Sequence, residues 1–208
     1  NRIKTNASHG GGCSFATAIA CFIAKSYLLR DAFVLSKAFI NQGLKFSANS
    51  LEQESNYSAF EQLGVPNHAN NFPKVSSSLS AQSSQAFKAL GLPRGQEKKL
   101  GLYPVVDSIE WLKRLLPLGL EIIQLRVKNK TEEQLALIIQ QAVAFSQDYK
   151  TRLFINDYWQ LAIKHGAYGV HIGQEDLVDT DLNAINEAGL RLGISTHGCY
   201  EFLLAQQI

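Results

Sequence analysis

The chain has no methionine among its 208 residues and only three cysteines. Because methionine is absent even at position 1, we expect the natural translation start to lie upstream and read the chain as part of a longer protein. Cys13 and Cys21 would lie about two helical turns apart, roughly 12 Å, and no cysteine forms a Cys-x-x-Cys pair with another. This pattern excludes a disulfide framework and is typical of a reducing cytoplasm.

Long apolar runs and blocks of one charge are also lacking. No apolar stretch reaches the length of a membrane span, and the first residues do not form a signal peptide. The 20 basic residues nearly balance the 18 acidic ones, for a net charge of +2. We therefore expect neither a nucleic-acid nor a membrane partner, whereas small anionic ligands and a homo-oligomer remain open. A hydrophobic content of 46% is enough for a buried core.

The first 46 residues have a helical pattern. The glycines at positions 10–12 precede a segment rich in Ala, Ile and Phe, which predicts a loop entering a helix. A second helix is predicted over residues 28–42, ending at Gly43. A glycine-rich turn at a helix N-terminus offers backbone N–H groups to an anion, although an ordinary tight turn has the same composition.

The composition changes twice in the rest of the chain. Residues 47–99 are rich in Ser, Asn, Gln, Pro and Gly, which indicates a linker. From residue 100 to 208, β-rich runs alternate with helical stretches, which predicts a parallel α/β sheet. The clearest helix spans residues 131–149, where Thr131 and Gln134 match a capping box. The β-rich runs are residues 101–106, 121–127, 151–155, 169–172 and 191–195.

These five runs do not by themselves decide how the sheet closes. A (β/α)8 barrel needs eight strand–helix units, and an open doubly wound sheet would place its loops on a similar edge. Both folds bind ligands at the carboxyl ends of their strands.

Two carboxylates, Asp157 and Asp176, follow consecutive predicted strands and are flanked by Asn156 and Gln174. Hard oxygen ligands of this kind suit Mg²⁺, particularly when a diphosphate supplies further oxygens. The alternative is that each aspartate is only a helix N-cap.

A basic pair lies at the end of the preceding strand. Arg126 and Lys128 alternate with Val127, so both point to one side of the strand, which Gln124 shares. Arginine grips phosphate through two parallel hydrogen bonds and lysine acts as a point charge. The alternative is that the two basic side chains only form part of the solvent-exposed rim of the sheet and bind nothing.

Four stretches together resemble thiamine phosphate synthase, namely residues 124–128, 153–157, 169–176 and 192–197. Their order, intervals and identities agree with that family over residues 100–201. The resemblance implies a TIM barrel, of which this chain holds about five units, with Mg²⁺ as cofactor. It also implies a reaction in which hydroxymethylpyrimidine diphosphate alkylates a thiazole phosphate to give thiamine phosphate and diphosphate.

The resemblance also assigns roles to residues. Asn156 and Ser195 would contact the diphosphate, and Asp157 and Asp176 would hold the metal. The thiazole phosphate site and a further lysine are expected beyond Ile208. The residues that would line the pyrimidine diphosphate are Gln124, Leu125, Arg126, Val127 and Lys128.

The start of the chain resembles the end of a hydroxymethylpyrimidine phosphate kinase of the ribokinase type, on residues 8–20 and more weakly over residues 4–46. The resemblance implies an anion hole at Gly10, Gly11 and Gly12, Cys13 as the base, and ATP as a substrate. We therefore expect a bifunctional kinase–synthase. The alternatives are a protein active only as the kinase, with a degenerate barrel, and a non-catalytic diphosphate-binding or regulatory protein.

Overall fold

Five parallel strands form the sheet of the computed structural model, which describes residues 3, 5, 9–49, 61–75, 86–91 and 101–208. Each strand pairs with the next one in sequence, so the order is β1-β2-β3-β4-β5 and all four pairs are parallel. The predicted parallel α/β sheet is confirmed. The strands are β1 Val105–Val106, β2 Ile122–Leu125, β3 Arg152–Asn156, β4 Gly169–Ile172 and β5 Arg191–Ile194.

Seven α-helices accompany the sheet in the described residues. The helix that begins after Thr131 has the predicted capping box: the Gln134 N–H donates to Thr131 Oγ1 (3.4 Å) and the Thr131 N–H donates to Gln134 Oε1 (3.2 Å). The helices are α1 Gly11–Ala24, α2 Leu29–Asn49, α3 Ile109–Leu115, α4 Glu132–Asp148, α5 Trp159–His165, α6 Leu182–Glu187 and α7 Cys199–Ala205.

The predicted end of α2 is wrong. The helix does not stop at Gly43 but continues to Asn49. Gly43 is buried, so tertiary packing offsets the roughly 1 kcal/mol by which glycine is less favourable than alanine inside a helix. Ser47, also buried, accepts a hydrogen bond from the Glu61 N–H at 3.0 Å, which ties this extra part of the helix to the chain beyond it.

The chain divides into two compact units, of which the first comprises residues 1–76 and 197–207. Its helices are α1, α2 and α7. Helices α1 and α2 pack through an edge-to-face contact between Phe15 and Phe33, whose ring centroids are 5.4 Å apart. Cys13, Cys21 and Cys199 are all free thiols.

Much of the predicted linker, residues 47–99, lies outside the described residues. The stretch 61–75 lies against α2: Gln42 Nε2 donates to the Gly64 carbonyl at 3.1 Å, and Asn41 Nδ2 donates to the Asn71 carbonyl at 2.9 Å. The stretch 86–91 is bound instead to the sheet unit, where Arg152 donates to the Gly91 carbonyl at 3.0 Å. Both stretches therefore pack against folded elements.

The second unit comprises residues 77–196 with residue 208 and contains the sheet and α3 to α6. Because side chains alternate along a strand, one face of the sheet is apolar and packs against the helices. Leu112 of α3, Ile139 of α4 and Ile185 of α6 are at most 1% exposed against it. The strand residues of this face are Ile123, Leu125, Leu153, Ile155, Val170 and Ile172.

In the part of the chain that the structure describes, no helix has the length and hydropathy to cross a membrane.

Candidate functional site

The second face of the sheet, the polar face, carries polar side chains beside the apolar Ile122 and Phe154. Gln124, Asn156 and His171 alternate with the core residues and therefore point away from the helices. Asn156 pairs in register with His171, so these two side chains are neighbours on adjacent strands. Gln124 and Asn156 are only 4% and 8% exposed. Buried polar side chains normally have hydrogen-bond partners, so this face can make specific hydrogen bonds to neighbouring side chains or to a ligand.

Tyr103 covers one end of this face. Gln124 Nε2 donates to Tyr103 Oη at 3.1 Å, and the tyrosine ring meets Phe154 edge-on at 6.0 Å and His171 at 6.5 Å. Burial raises the pKa of Tyr103, with the Gln124 hydrogen bond opposing, so the phenol is neutral. Reasoning from the sequence missed Tyr103. It lies two residues before β1, and only the register of β1 with β2 puts it beside Gln124.

His171 and Ser195 form the next contact along the face. His171 Nε2 lies 3.0 Å from Ser195 Oγ, so the predicted site residue Ser195 contacts a second polar side chain of the sheet. A Cβ on Gly193 would lie 2.6 Å from His171 Nδ1, so the glycine makes room for the ring. Burial lowers the pKa of His171, with the charge of Asp157 opposing, which favours the neutral imidazole.

Asp157 and Asp176 are brought close enough to repel one another. Burial and then the charge of Asp176 raise the pKa of Asp157, while Arg126 and Lys128 lower it. Asp176 and the basic pair Arg126 and Lys128, predicted at two other strand ends, therefore all act on Asp157. Neither aspartate is a helix N-cap, because Tyr158 caps α5 and Asp181 caps α6, so the N-cap alternative is wrong for both.

The backbone fixes the two carboxylates. Asp157 has φ 64, in the left-handed region, and its N–H donates to the His171 carbonyl at 2.9 Å. A Cβ on Gly173 would lie 3.1 Å from Asp176 Oδ2, so this carboxylate lies against bare backbone. Gln174 Nε2 donates to the Ser195 carbonyl at 2.7 Å and ties the Asp176 loop to the end of β5.

The carboxylate oxygens of Asp157 and Asp176 fit a magnesium ion whose remaining coordination positions are filled by a bound ligand and water. Among the described residues no group of three or more His, Cys, Asp or Glu side chains could hold a metal by itself. Asp157 and Asp176 supply two hard carboxylates, and Mg²⁺ is usually bound by one or two carboxylates plus waters and phosphate oxygens. The pair therefore suits a metal that arrives with, or is completed by, a phosphorylated molecule.

In residues 124–128, some side chains face the candidate site and others are buried in the hydrophobic core. Arg126 and Lys128 are exposed, whereas Leu125 and Val127 are 1% and 6% exposed in the hydrophobic core. Of the five predicted contacts in residues 124–128, the side chains of Leu125 and Val127 are therefore turned away, and only their backbone is left for a ligand. The strand alternation that aligns Arg126 with Lys128 sends Val127 to the opposite side.

The glycine cluster forms the expected turn into a helix. Gly10 has φ 77, which favours glycine, and is the N-cap of α1, with Gly11 and Gly12 in the first turn. Cys13 is exposed one residue further on and lines a groove of about 370 Å³ with Thr17 and Cys21. The first N–H groups of a helix have no partner within it, so this turn can present donors to an anion.

The burial of Asp157 beside Asp176 disfavours its charged form and leads to a prediction about the stability of the fold. Its raised pKa means that the folded state favours the protonated carboxyl, so stability falls as the pH rises through its titration. We expect Asp157→Asn, which has no charge and tolerates the left-handed backbone, to unfold at the same temperature or higher at pH 7. Thermal unfolding across pH checks this, and the advantage should shrink as acid protonates Asp157. A lower melting temperature at pH 7 would contradict it.

Comparison with known proteins gives two family matches. The model described as thiamine monophosphate synthase matches residues 102–208, and the one described as phosphomethylpyrimidine kinase matches residues 1–58. Both resemblances drawn from the sequence motifs are confirmed.

Curated relatives agree with the first match. The thiamine-phosphate synthase of Photorhabdus laumondii is 61% identical over 112 residues, 54% of this chain and 52% of that protein. That of Serratia proteamaculans is 66% identical over 99 residues, 48% of this chain and 47% of that protein. The chain thus spans about half the length of the curated relatives it matches. A solved structure, thiamine phosphate pyrophosphorylase from Pyrococcus furiosus, is 26% identical with a TM-score of 0.42, covering 47% of this chain and 50% of that one.

The match over residues 102–208 takes in more than half of the chain and every side chain described on the polar face of the sheet. The chain belongs to the thiamine monophosphate synthase family.

Proposed function

We propose that the full-length protein is a cytoplasmic thiamine phosphate synthase, which joins hydroxymethylpyrimidine diphosphate to thiazole phosphate and releases diphosphate. The observation that carries this proposal is the meeting of Arg126, Lys128, Asp157 and Asp176 at the carboxyl ends of β2, β3 and β4. Two cations and two carboxylates at this edge suit a diphosphate bound together with a divalent metal. The family match supports the reaction.

The pyrimidine ring is proposed to lie on the polar face near Gln124. This side chain has an amide for hydrogen bonding to a heteroaromatic ring, and the neighbouring Tyr103 and Phe154 supply flat apolar surface. Tyr103 and His171 are both neutral, so this end of the site suits an uncharged ring.

The diphosphate is proposed to lie at the strand ends. Arg126 and Lys128 bind its oxygens by charge, and Asn156 and Ser195 donate further hydrogen bonds. Asp157 and Asp176 would hold Mg²⁺. When bound, the metal neutralises charge on the diphosphate.

In this reaction the role of these residues is to stabilise the departing diphosphate. The C–O bond to the diphosphate breaks, its electron pair stays on the departing oxygen, and the lone pair of the thiazole nitrogen forms the new C–N bond. Arg126 and Lys128 stabilise the charge that develops on the diphosphate. No covalent nucleophile is needed, because the pyrimidine cation is stabilised by resonance.

The sheet is proposed to be part of a (β/α)8 barrel. In the described residues β1 and β5 each pair with one neighbouring strand, so both edges can accept the further strands that close a barrel. The thiazole phosphate site would lie on those strands. We further propose that residues 1–46 are the end of a ribokinase-like domain, residues 47–99 connect it, and residues 100–208 begin the barrel.

The direct test is to assay the full-length protein for thiamine phosphate from the two substrates, with and without Mg²⁺. We expect product only when both substrates and the metal are present. Binding of the pyrimidine diphosphate without product would instead support the non-catalytic binding protein, and an absence of both would exclude this function.

A second activity is favoured by the match of residues 1–58 to the kinase family and by the turn at Gly10, Gly11 and Gly12. We propose that this turn holds the phosphoryl group transferred from ATP and that Cys13 acts as the base. Cys13→Ala should slow phosphorylation of hydroxymethylpyrimidine phosphate by about 100-fold or more, as general-base removal typically does, and leave the synthase rate unchanged. The matched control is Cys21→Ala, two turns along the same helix. Equal loss of both activities would indicate a folding defect rather than a catalytic role.

A further inference from the structure

The hydrogen bond between Gln124 and Tyr103 fixes the orientation of the Gln124 amide. This side chain is 4% exposed, and its Nε2 donates to Tyr103 Oη at 3.1 Å. Within the described residues the Gln124 side chain has no second hydrogen bond, so its Oε1 is an unused acceptor. The terminal torsion of a glutamine is broad, so without this contact the amide nitrogen and oxygen can exchange places.

Tyr103 is itself held in place beside Gln124. The Gln124 N–H donates to the Pro104 carbonyl at 2.9 Å, and Val105 pairs with Gln124 in register, which fixes the backbone next to Tyr103. The tyrosine ring packs edge-on against Phe154. Because a tyrosine hydroxyl is both a donor and an acceptor, Oη can accept from Gln124 and still donate its hydrogen to a ligand. The burial that raises the pKa of Tyr103 keeps this hydrogen on the phenol.

The two side chains therefore offer a ligand one acceptor, Gln124 Oε1, and one donor, the Tyr103 hydroxyl. An aromatic ring with an amino group beside a ring nitrogen has the complementary pair, because its amino group donates to Oε1 and its ring nitrogen accepts from the hydroxyl. A ring with an oxo group beside a ring N–H has the opposite pair. Its oxygen would face Oε1 and its N–H would face the hydroxyl hydrogen, which leaves buried polar groups without partners.

We propose that Tyr103 is a specificity-determining residue, which fixes the Gln124 amide so that the site takes an aminopyrimidine and rejects the corresponding oxopyrimidine. Tyr103 and Gln124 both lie in the sheet unit of residues 77–196, so the contact is internal to one compact unit. This inference rests on the proposed function, in which the pyrimidine ring lies near Gln124. It adds which edge of the ring faces Gln124 and which residue selects that edge.

The test measures the dissociation constants of the amino and oxo forms of the pyrimidine diphosphate in the full-length protein, with Mg²⁺ and without thiazole phosphate. Binding is measured rather than turnover, because the amino group also stabilises the pyrimidine cation and would bias the rates. The parental protein should bind the amino form about 100-fold more tightly, as expected when the wrong form leaves buried groups unpaired. Equal affinities, or a preference for the oxo form, would overturn the proposal without the need for any variant.

Tyr103→Phe tests the role of the hydroxyl. It keeps the ring and removes Oη, so the Gln124 amide is free to turn over, and the preference for the amino form should fall about tenfold. A merely structural loss would weaken both forms alike and leave the ratio of the two dissociation constants unchanged. A parental ratio in Tyr103→Phe would therefore overturn the assignment to Tyr103.

Tyr168→Phe is the matched control. Tyr168 also meets Phe154 edge-on, with ring centroids 5.7 Å apart, but its hydroxyl has no hydrogen-bond partner in the described part of the chain. This variant should keep the parental ratio. Gln124→Ala separates the inference from the function on which it rests. A parental affinity for the amino form in Gln124→Ala would count against the proposed function, whereas a weakened affinity there with a parental ratio in Tyr103→Phe overturns only the inference.

Discussion

Replacing Asp157 or Asp176 with asparagine in the full-length protein should lower Mg²⁺-dependent formation of thiamine phosphate by about 100-fold or more. Each substitution removes one of the two carboxylates that repel each other across the site and would share the metal. Asparagine keeps the shape of the side chain and, at position 157, tolerates φ 64. The loss should therefore come from the missing charge rather than from misfolding. Steady-state rates over a range of Mg²⁺ concentrations check this.

The control for these variants is Asp179→Asn, an exposed carboxylate three residues beyond Asp176 that should keep the parental rate. Because the pKa of Asp157 in the metal-free protein is raised by burial and by Asp176, the affinity for Mg²⁺ should begin to weaken, as the pH is lowered, at a higher pH than an ordinary aspartate would cause. Full activity without metal, or in both asparagine variants, would rule out the proposed magnesium site.

Gly169→Ala should lower the free energy of unfolding of the sheet unit by about 1–3 kcal/mol, as overpacking of a core does. A Cβ at this position would lie 2.5 Å from the Phe154 ring and 2.7 Å from the Arg191 carbonyl. Gly169 pairs in register with both Phe154 and Arg191, so neither neighbour can move away without disturbing the pairing of β4. Thermal unfolding followed by the far-UV signal measures the change.

Gly64→Ala is the matched glycine control, because a Cβ there meets no atom within 4 Å. Its effect should stay within about 0.5 kcal/mol. The proposal that Gly169 is required by close packing would be wrong if the two alanine variants had the same melting temperature.

The sequence was most informative where the determinants are local. Helix α4 is specified by its capping box and its apolar spacing, both of which lie within residues 131–149, and it forms where it is predicted. The parallel direction of the strands follows from the alternation of β-rich and helical runs, which is typical of a parallel sheet, whereas their sequential order is known only from the structure. Asp157 and Asp176 could be named because parallel strands end at one edge.

The sequence failed where tertiary contacts decide. Gly43 would end an isolated helix, but its burial lets α2 continue. Tyr103 joins the site only through the pairing of Val105 with Gln124, a register that no local pattern encodes. Leu125 and Val127 entered the predicted site as parts of a contiguous motif, and the alternation of the strand turns their side chains into the core.

The left-handed backbone at Asp157 has an evolutionary consequence. One nucleotide change turns an aspartate codon into an asparagine codon, and asparagine occupies φ 64 as readily as aspartate does. Because the raised pKa of Asp157 disfavours its charge in the folded state, selection for folding does not oppose this change. Under the proposed magnesium site, only selection for metal binding retains the acid. A descendant with asparagine at 157 would then keep the fold and lose the metal, so we propose position 157 as the residue that tells metal-binding relatives from metal-free ones.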